Sequence, residues 1–175
     1  MKMNLSILIL LSCLLLASGC SSNANKAQTG KAENSKTTNI QQEALEKLSE
    51  DHQLKVERAT PVQLMNLYFE GINEELPLLT VSTLHPELLQ SYTSPDEAAE
   101  IFKGYKVKRP DIKEDEEKNK SIDQSKEYYL IVDFEVTDIE ENSQWAAGPG
   151  RHTRFVTFVK MDKNRWSIKE LATSP

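Results

Sequence analysis

Cysteine is nearly absent from this chain, since only Cys13 and Cys20 occur among its 175 residues and both lie close to the first methionine. Everything after Cys20 therefore lacks disulfides and thiolate chemistry. A small domain without such crosslinks must be stabilised by its own hydrophobic core. A long apolar run is also missing, because residues 5–16 would span only about 18 Å as a helix, well short of the roughly 30 Å of a hydrocarbon core.

Residues 5–16 instead have the length and composition of the apolar centre of a secretory signal, preceded by one basic residue, Lys2. Small residues at positions 17–19 then lead into Cys20. This segment resembles the lipobox of bacterial lipoproteins. One position departs from that pattern, because the residue three before the cysteine is usually leucine and is Ala17 here.

The lipobox resemblance implies that residues 1–19 are an export signal and that the mature protein begins at Cys20. It implies that the Cys20 thiol carries diacylglycerol, with the fatty acylation, such as palmitate, that is typical of lipoproteins. The protein is then expected on the outer face of the cell membrane of a Gram-positive bacterium, or facing the periplasm in a Gram-negative one. An ordinary signal peptide cut near Gly19 is the alternative.

Acidic residues outnumber basic ones, because 27 Asp and Glu against 21 Lys and Arg give a formal net charge of −6. Such a charge holds a tethered domain slightly away from an anionic membrane surface. It also argues against nucleic acid and polyanionic wall polymers as broad electrostatic partners. No nucleic-acid partner is therefore expected.

Residues 21–39 contain no large apolar side chain. A segment of this composition cannot bury enough surface to become ordered, so a flexible tether is predicted. Apolar residues at positions 40–48 recur weakly at helical spacing, whereas Leu54 and Val56 alternate as in a short strand. We therefore expect residues 20–59 to form a lipid-anchored flexible tether in which one short helix can form.

The folded domain is expected to cover residues 60–175 and to begin with helices. Residues 60–63, Thr-Pro-Val-Gln, are typical of a helix start, with a capping residue, a proline at the first helical position and a capping-box glutamine. A second start of the same kind lies at residues 94–97, and Gly104 is expected to end that helix. Residues 76–92 are leucine-rich and interrupted by prolines, which predicts one or two short helices.

Strands are predicted in the second half of the chain, at residues 105–108, 128–136, 154–161 and 166–171. Apolar and polar residues alternate strictly in the second of these, as in a half-buried strand. Apolar residues occupy both faces of the third, which is typical of a central strand covered on each side. The charged residues 111–125 are expected to form an exposed turn or an irregular strand pair, and residues 140–150 a loop. Helices followed by an antiparallel sheet predict an α+β domain.

The capped helix carries Tyr68 and Phe69, and much later in the chain come a strand at residues 154–160, a turn and a strand that begins at Trp166. This order of elements resembles nuclear-transport-factor-2-like domains. The resemblance covers residues 59–175. It implies a cone-shaped α+β fold in which N-terminal helices pack on a curved antiparallel sheet, often leaving a pocket. Within that superfamily the chain is similar to the lipoproteins of domain of unknown function 4829, found mainly in Gram-positive bacteria. That family has no settled activity, so no functional residue can be transferred from it.

Enzymes with this cone fold place an Asp, His or Tyr on the inner face of the sheet, where burial tunes its pKa for proton transfer. The regular strand offers Asp133 and Glu135 only on the face opposite its apolar residues, so both are expected to face solvent. None of the three histidines has a further ligand at metal-binding spacing, and the acidic residues 114–117 lack the turn glycine of a calcium loop. We therefore expect no catalytic set, no metal and no cofactor.

Six residues are candidates for lining a pocket or contacting a partner: Tyr68, Trp145, Arg151, His152, Arg154 and Trp166. The three basic ones form a compact group that could meet an anion or an acidic partner. Trp166 is expected in the core, so Trp145 in its loop is the more informative tryptophan. Cys20, as the lipidation site, is the one residue to which the sequence assigns a definite role.

Three functions fit these features. The first is a non-enzymatic ligand-binding or protein-binding accessory domain at the cell surface. The second is a small-molecule enzyme of isomerase or dehydratase type that uses the pocket of the cone. The third is a structural interaction module that forms a homodimer through the exposed face of the sheet. A pocket of several hundred cubic ångströms with inward Tyr, His or Asp would favour the enzyme.

Overall fold

A computed structural model describes residues 39–143, 148–161 and 164–174. All but one of the helices in these ranges precede the strands, and the exception lies between the first two strands. The helices are α1 Ile40–Glu46, α2 Glu50–Arg58, α3 Pro61–Asn73, α4 Pro77–Thr83, α5 Pro95–Ala99 and α6 Glu116–Lys120. Two 3₁₀ helices, Pro86–Leu89 and Glu100–Phe102, follow α4 and α5. The strands are β1 Lys106–Glu114, β2 Glu127–Thr137, β3 Gly150–Lys160 and β4 Trp166–Ala172. They form one antiparallel sheet in the order β1-β2-β3-β4, which confirms the predicted α+β class.

Strand β2 shows the predicted alternation, because Leu130, Val132, Phe134 and Val136 are buried and the residues between them are partly exposed. We call the side of the sheet that carries these four side chains the inner face, and the opposite side the outer face. Directly paired residues on neighbouring antiparallel strands share a face. The helical layer packs on the inner face, and the hydrophobic core lies between the two.

Helix α3 begins as predicted because Thr60 and Gln63 form a reciprocal capping box. The Thr60 backbone N–H donates to Gln63 Oε1 (2.9 Å), and the Gln63 N–H donates to Thr60 Oγ1 (3.4 Å). The helix buries an apolar stripe formed by Leu64, Met65, Leu67, Tyr68, Phe69 and Ile72. Full burial of one side chain of this size contributes roughly 1.5–3 kcal/mol, so the stripe attaches the helical layer firmly to the sheet.

The side chain of Asn73, the last residue of α3, binds the edge of the sheet. Its Nδ2 donates to the Val107 carbonyl (2.9 Å) and its Oδ1 accepts from the Val107 N–H (2.8 Å). One side chain thus takes the place of a neighbouring strand at the start of β1. Further along, β1 shifts register between Lys108 and Asp111 and contains Pro110, which has no N–H to offer. These features protect an edge strand that could otherwise pair with another chain.

We expect Asn73→Ala to lower the free energy of unfolding by about 2 kcal/mol, because it leaves two partly buried backbone groups of Val107 without partners. The matched control is Asn66→Ala, on the exposed side of the same helix, which should change stability by less than about 0.5 kcal/mol. Urea denaturation of both variants measures the difference. Equal midpoints for the two would contradict the anchoring role of Asn73.

The expectation that residues 20–59 are a flexible tether is wrong for its second half. Residues 40–58 form α1 and α2, and Ile40, Ala44, Leu45 and Val56 are buried in the core. The apparent strand alternation at Leu54 and Val56 belongs to a helix, in which Val56 is buried and Leu54 is 47% exposed. Two such short helices carry weak periodicity, and packing against α4 and α5 rather than intrinsic propensity stabilises them.

The expectation for residues 111–125 is also wrong in part, because this stretch contains the end of β1 and then helix α6. Asp115 caps that helix by accepting from the Lys118 N–H (3.1 Å). Asn119 is buried, and its side chain bonds both backbone groups of Tyr129 (2.8 and 2.9 Å). The segment is highly charged and its helix buries only one side chain, the polar Asn119. The sequence therefore shows no apolar stripe from which a helix could be predicted.

The prediction that β3 is covered on both sides is not supported by its burial. Val156 and Phe158 are fully buried on the inner face, whereas Phe155 and Val159 on the outer face are only half-buried. Strand β3 is interior in the sheet, so its edges are paired, but its outer face keeps partial contact with solvent.

Several sequence predictions fall outside the described residues. These are the export signal of residues 1–19, the lipidation site Cys20, the tether up to residue 38, and the candidate Trp145. The helices within the described ranges are all too short or too polar to cross a bilayer.

Candidate functional site

Tyr68 lies inside the helical layer and not on an open surface. It is 7% exposed, and its ring packs edge-on against Phe69 and Phe102, with ring centroids 5.4 and 5.9 Å away. Burial raises the pKa of Tyr68 well above its usual range, although nearby Arg154 opposes the shift. Burial also raises the pKa of Tyr105. Both hydroxyls therefore stay protonated at neutral pH and are unsuited to accepting a proton.

His152 and Arg154 lie on the inner face of β3, around the ring of Phe134. The His152 ring centroid is 5.7 Å from that of Phe134, and the Arg154 guanidinium carbon is 5.9 Å from it. His152 Nε2 lies 3.1 Å from the Gly148 carbonyl, and Arg154 Nη1 donates to the Thr153 carbonyl (2.9 Å). The structure therefore brings Tyr68, His152 and Arg154 to one region of the inner face.

Arg151 does not belong to that group. It is exposed on the outer face, directly opposite Glu135 of β2. Successive residues of a strand point to opposite sides, so Arg151 is separated from His152 and Arg154. The expectation of one compact basic group is therefore wrong. The strand predicted over residues 154–161 does not include Arg151 or His152, so only the observed start of β3 at Gly150 separates them.

Trp166 lies at the other end of the sheet. It is half-buried against the core, its ring is 6.4 Å from that of Tyr128, and Lys160 Nζ lies 5.2 Å from the Trp166 ring. Burial, together with a hydrogen bond to Glu114, raises the pKa of Tyr128 to about 12. Lys160, which pairs with Trp166, is six residues from Arg154, or about 20 Å along a strand. Trp166 and the His152 region are therefore separate.

The outer face carries Asp133 and Glu135, as predicted. Asp133 accepts a hydrogen bond from Thr153 Oγ1 (2.6 Å). Lys113 Nζ is 2.6 Å from Asp111 and 3.7 Å from Asp133, so it bridges two carboxylates that face each other across β1 and β2. An open cavity of about 490 Å³ lies at this end of the sheet, and its lining includes Phe134 and His152 of the inner face besides residues of the outer face. The carboxylates of Asp111 and Asp133 there are paired with Lys113, and Asp133 also accepts from the Thr153 hydroxyl.

An apolar row crosses the middle of the outer face. Ile131 of β2 pairs directly with Phe155 of β3, which in turn pairs with Ala172 of β4, and all three are half-buried. Near the start of β2, Lys118 of α6 lies over the ring of Tyr129, 5.3 Å from its centre. Sequence reasoning did not select Ile131 or Phe155, because only the strand register shows that they are neighbours. We call this surface, with Glu135 and Arg151, the outer-face site.

Within the described ranges, no group of three His, Cys, Asp or Glu side chains is arranged to hold a metal ion. No protein-family model and no curated protein matches the chain.

Proposed function

We propose that the protein is a membrane-anchored lipoprotein whose folded domain is a non-enzymatic interaction module. The lipobox-like residues 17–20 support an anchor at Cys20 on the outer surface of the cell membrane. Helices that precede a four-stranded antiparallel sheet and pack on one of its faces support a nuclear-transport-factor-2-like cone as the finer fold. The module then acts at the cell surface on a partner that reaches its open side.

The observation that carries this proposal is the composition of the outer-face site. Ile131 and Phe155 are only partly buried at the centre of the outer face, where side chains of a solvated face would ordinarily be polar. Four residues further along the two strands, beyond the pair Asp133 and Thr153, Glu135 and Arg151 face each other on the same side of the sheet and carry opposite charge. An apolar centre bordered by charged groups is the usual anatomy of a protein-binding surface.

The partner that this pattern fits is a second copy of the chain. Consider a two-fold axis that lies between two facing sheets and runs along the strands between β2 and β3. It exchanges β2 of one copy with β3 of the other, so Glu135 meets Arg151 of the second copy and Ile131 meets Phe155 of the second copy. Packed sheets cross at about 30°, which keeps these central rows in contact. A contact of this kind is self-complementary, as a two-fold interface requires.

Membrane anchoring would favour such pairing. Two chains confined to one membrane surface meet at a much higher effective concentration than two chains in solution. A modest intrinsic affinity would therefore be sufficient on the cell. The acidic net charge, which keeps the domain slightly off an anionic surface, leaves the sheet free to face a neighbour.

Light scattering during gel filtration tests the proposal. We expect the purified protein to show twice the mass of one chain at about 100 µM, and Phe155→Asp to show the mass of one chain, because the change buries an unpaired charge in the contact. Leu54→Asp is the matched control, since Leu54 is 47% exposed on α2, away from the sheet. A monomeric wild-type protein, or equal dissociation by both variants, would contradict pairing through this face.

A further inference from the structure

A second cavity, of about 410 Å³, lies where α3 ends, β1 begins and β2 ends. Its apolar lining comes from four residues, Ile72, Pro77, Phe102 and Tyr105. Ile72, Phe102 and Tyr105 are also part of the buried core, so this lining is held rigidly. The cavity has no residue in common with the outer-face site. We call it the end pocket.

The two lysines that line the end pocket are each paired with a carboxylate. Lys103 Nζ lies 2.6 Å from Glu100, and Lys106 Nζ lies 2.9 Å from Glu75. Lys106 also donates to the Asn73 carbonyl (2.8 Å). Glu75 follows the end of α3 and has a φ of 58°, a backbone conformation that usually favours glycine after a helix. Its ion pair with Lys106 holds its side chain at the pocket. Each of these two cations therefore already has a carboxylate as its counterion.

The acidic side chains of the end pocket are not all paired in this way. Asp138 lies 3.7 Å from Lys108 Nζ and accepts from the Thr137 hydroxyl (3.1 Å). The carboxylate of Glu140 has no ion-pair or hydrogen-bond partner among the residues that the structure describes. The lining therefore offers one negative charge without a counterion beside an apolar surface.

Gly104 places Glu140 at the wall of the pocket. The Glu140 N–H donates to the Gly104 carbonyl (2.7 Å), which fixes the chain after β2 against the start of β1. Gly104 has φ +78°, and a Cβ built there would lie 3.3 Å from Glu140 Cβ and 3.4 Å from Glu140 Oε2. A side chain at position 104 would thus be strained and would crowd the carboxylate. The glycine permits this close approach.

We infer that the end pocket binds a small organic cation, with an apolar body against Ile72, Phe102 and Tyr105 and an ammonium or guanidinium group at Glu140. Concave apolar sites with one well-placed charge are the usual form of small-ligand pockets. The same chemistry is offered by a free amine and by a basic side chain of a peptide.

Titration of the ¹⁵N-labelled protein with three matched compounds tests this inference: phenethylamine, 2-phenylethanol and phenylacetate. We expect phenethylamine to bind with a dissociation constant on the order of 1 mM and to shift the amide signals of Ile72, Phe102, Tyr105 and Glu140. The neutral alcohol should bind about fivefold more weakly, because it lacks the ion pair, and the anion more weakly still. An acetylated and amidated Phe-Lys dipeptide distinguishes the two sources: tighter binding than phenethylamine indicates a peptide, and weaker binding indicates a free amine.

Glu140→Gln should reduce the affinity for phenethylamine to that of the alcohol and leave the affinity for the alcohol unchanged. Glu141→Gln is the matched control, because Glu141 is its exposed neighbour and does not line the pocket. The inference is overturned if the three compounds bind equally, if the shifted signals lie elsewhere in the domain, or if both variants behave like the wild type. The outer-face proposal is independent of each of these results.

Discussion

Replacing Gly71 with alanine should destabilise the protein by about 3 kcal/mol, although alanine is ordinarily the better helix residue by about 1 kcal/mol. Gly71 lies in α3 where α4 crosses closely. A Cβ at this position would collide with Thr80 Oγ1 and lie 2.7 Å from the Thr80 backbone nitrogen and 3.1 Å from the Leu76 carbonyl. Two of the three obstructing atoms are backbone, so a rotamer change cannot remove the clash.

Urea denaturation of Gly71→Ala against the wild type measures this loss. The exposed Asn66→Ala in the same helix is the control, because it introduces the same side chain where nothing obstructs it. The Thr80 hydroxyl, which donates to the Tyr68 carbonyl (3.1 Å), should lose that bond in the variant. A Gly71→Ala protein as stable as the wild type would show that α3 and α4 are not in close contact.

Phe158→Ala is expected to cost about 3–5 kcal/mol, because it removes a fully buried ring and leaves a cavity in the core. Phe158 is 0% exposed on the inner face of β3. Phe155→Ala supplies a matched comparison in the same strand, since Phe155 is half-buried on the outer face. It should cost only about 1 kcal/mol in the monomer.

Thermal or urea unfolding of the two phenylalanine variants, measured at low protein concentration, compares the two faces directly. The expected ratio is large because one ring is enclosed by helices and the other lies beside solvent. Equal destabilisation would mean that the outer face is as well covered as the inner face, which would remove the basis for a binding surface there.

The elements that sequence reasoning predicted well are those whose signals are local and redundant. Helix α3 combines a capping box, a proline at its first position and a regular apolar stripe, and β2 alternates over its whole length. The elements that it missed depend on distant partners. Gln41 of α1, for instance, is fully buried, and its side chain donates to the Ser82 carbonyl (3.2 Å) and accepts from Arg165 (2.9 Å). No local sequence pattern reveals these contacts.

The candidate sites were predictable only in part for the same reason. The solvent-facing positions of Asp133 and Glu135 follow from strand alternation alone. The pairing of Ile131 with Phe155 and of Glu135 with Arg151 depends on the register of β2 against β3, which the loop between them leaves undetermined. The end pocket likewise depends on a long-range contact, the Glu140 N–H on the Gly104 carbonyl.

The most direct test of pairing through the outer face is a charge exchange between Glu135 and Arg151. E135R alone should place two arginines against each other in the proposed contact, and R151E alone should place two glutamates together, so each purified variant should be monomeric. An equimolar mixture should recover the dimer, because every contact then joins an arginine to a glutamate, and light scattering should show twice the mass of one chain. Two variants that stay dimeric alone, or a mixture that stays monomeric, would contradict this pairing.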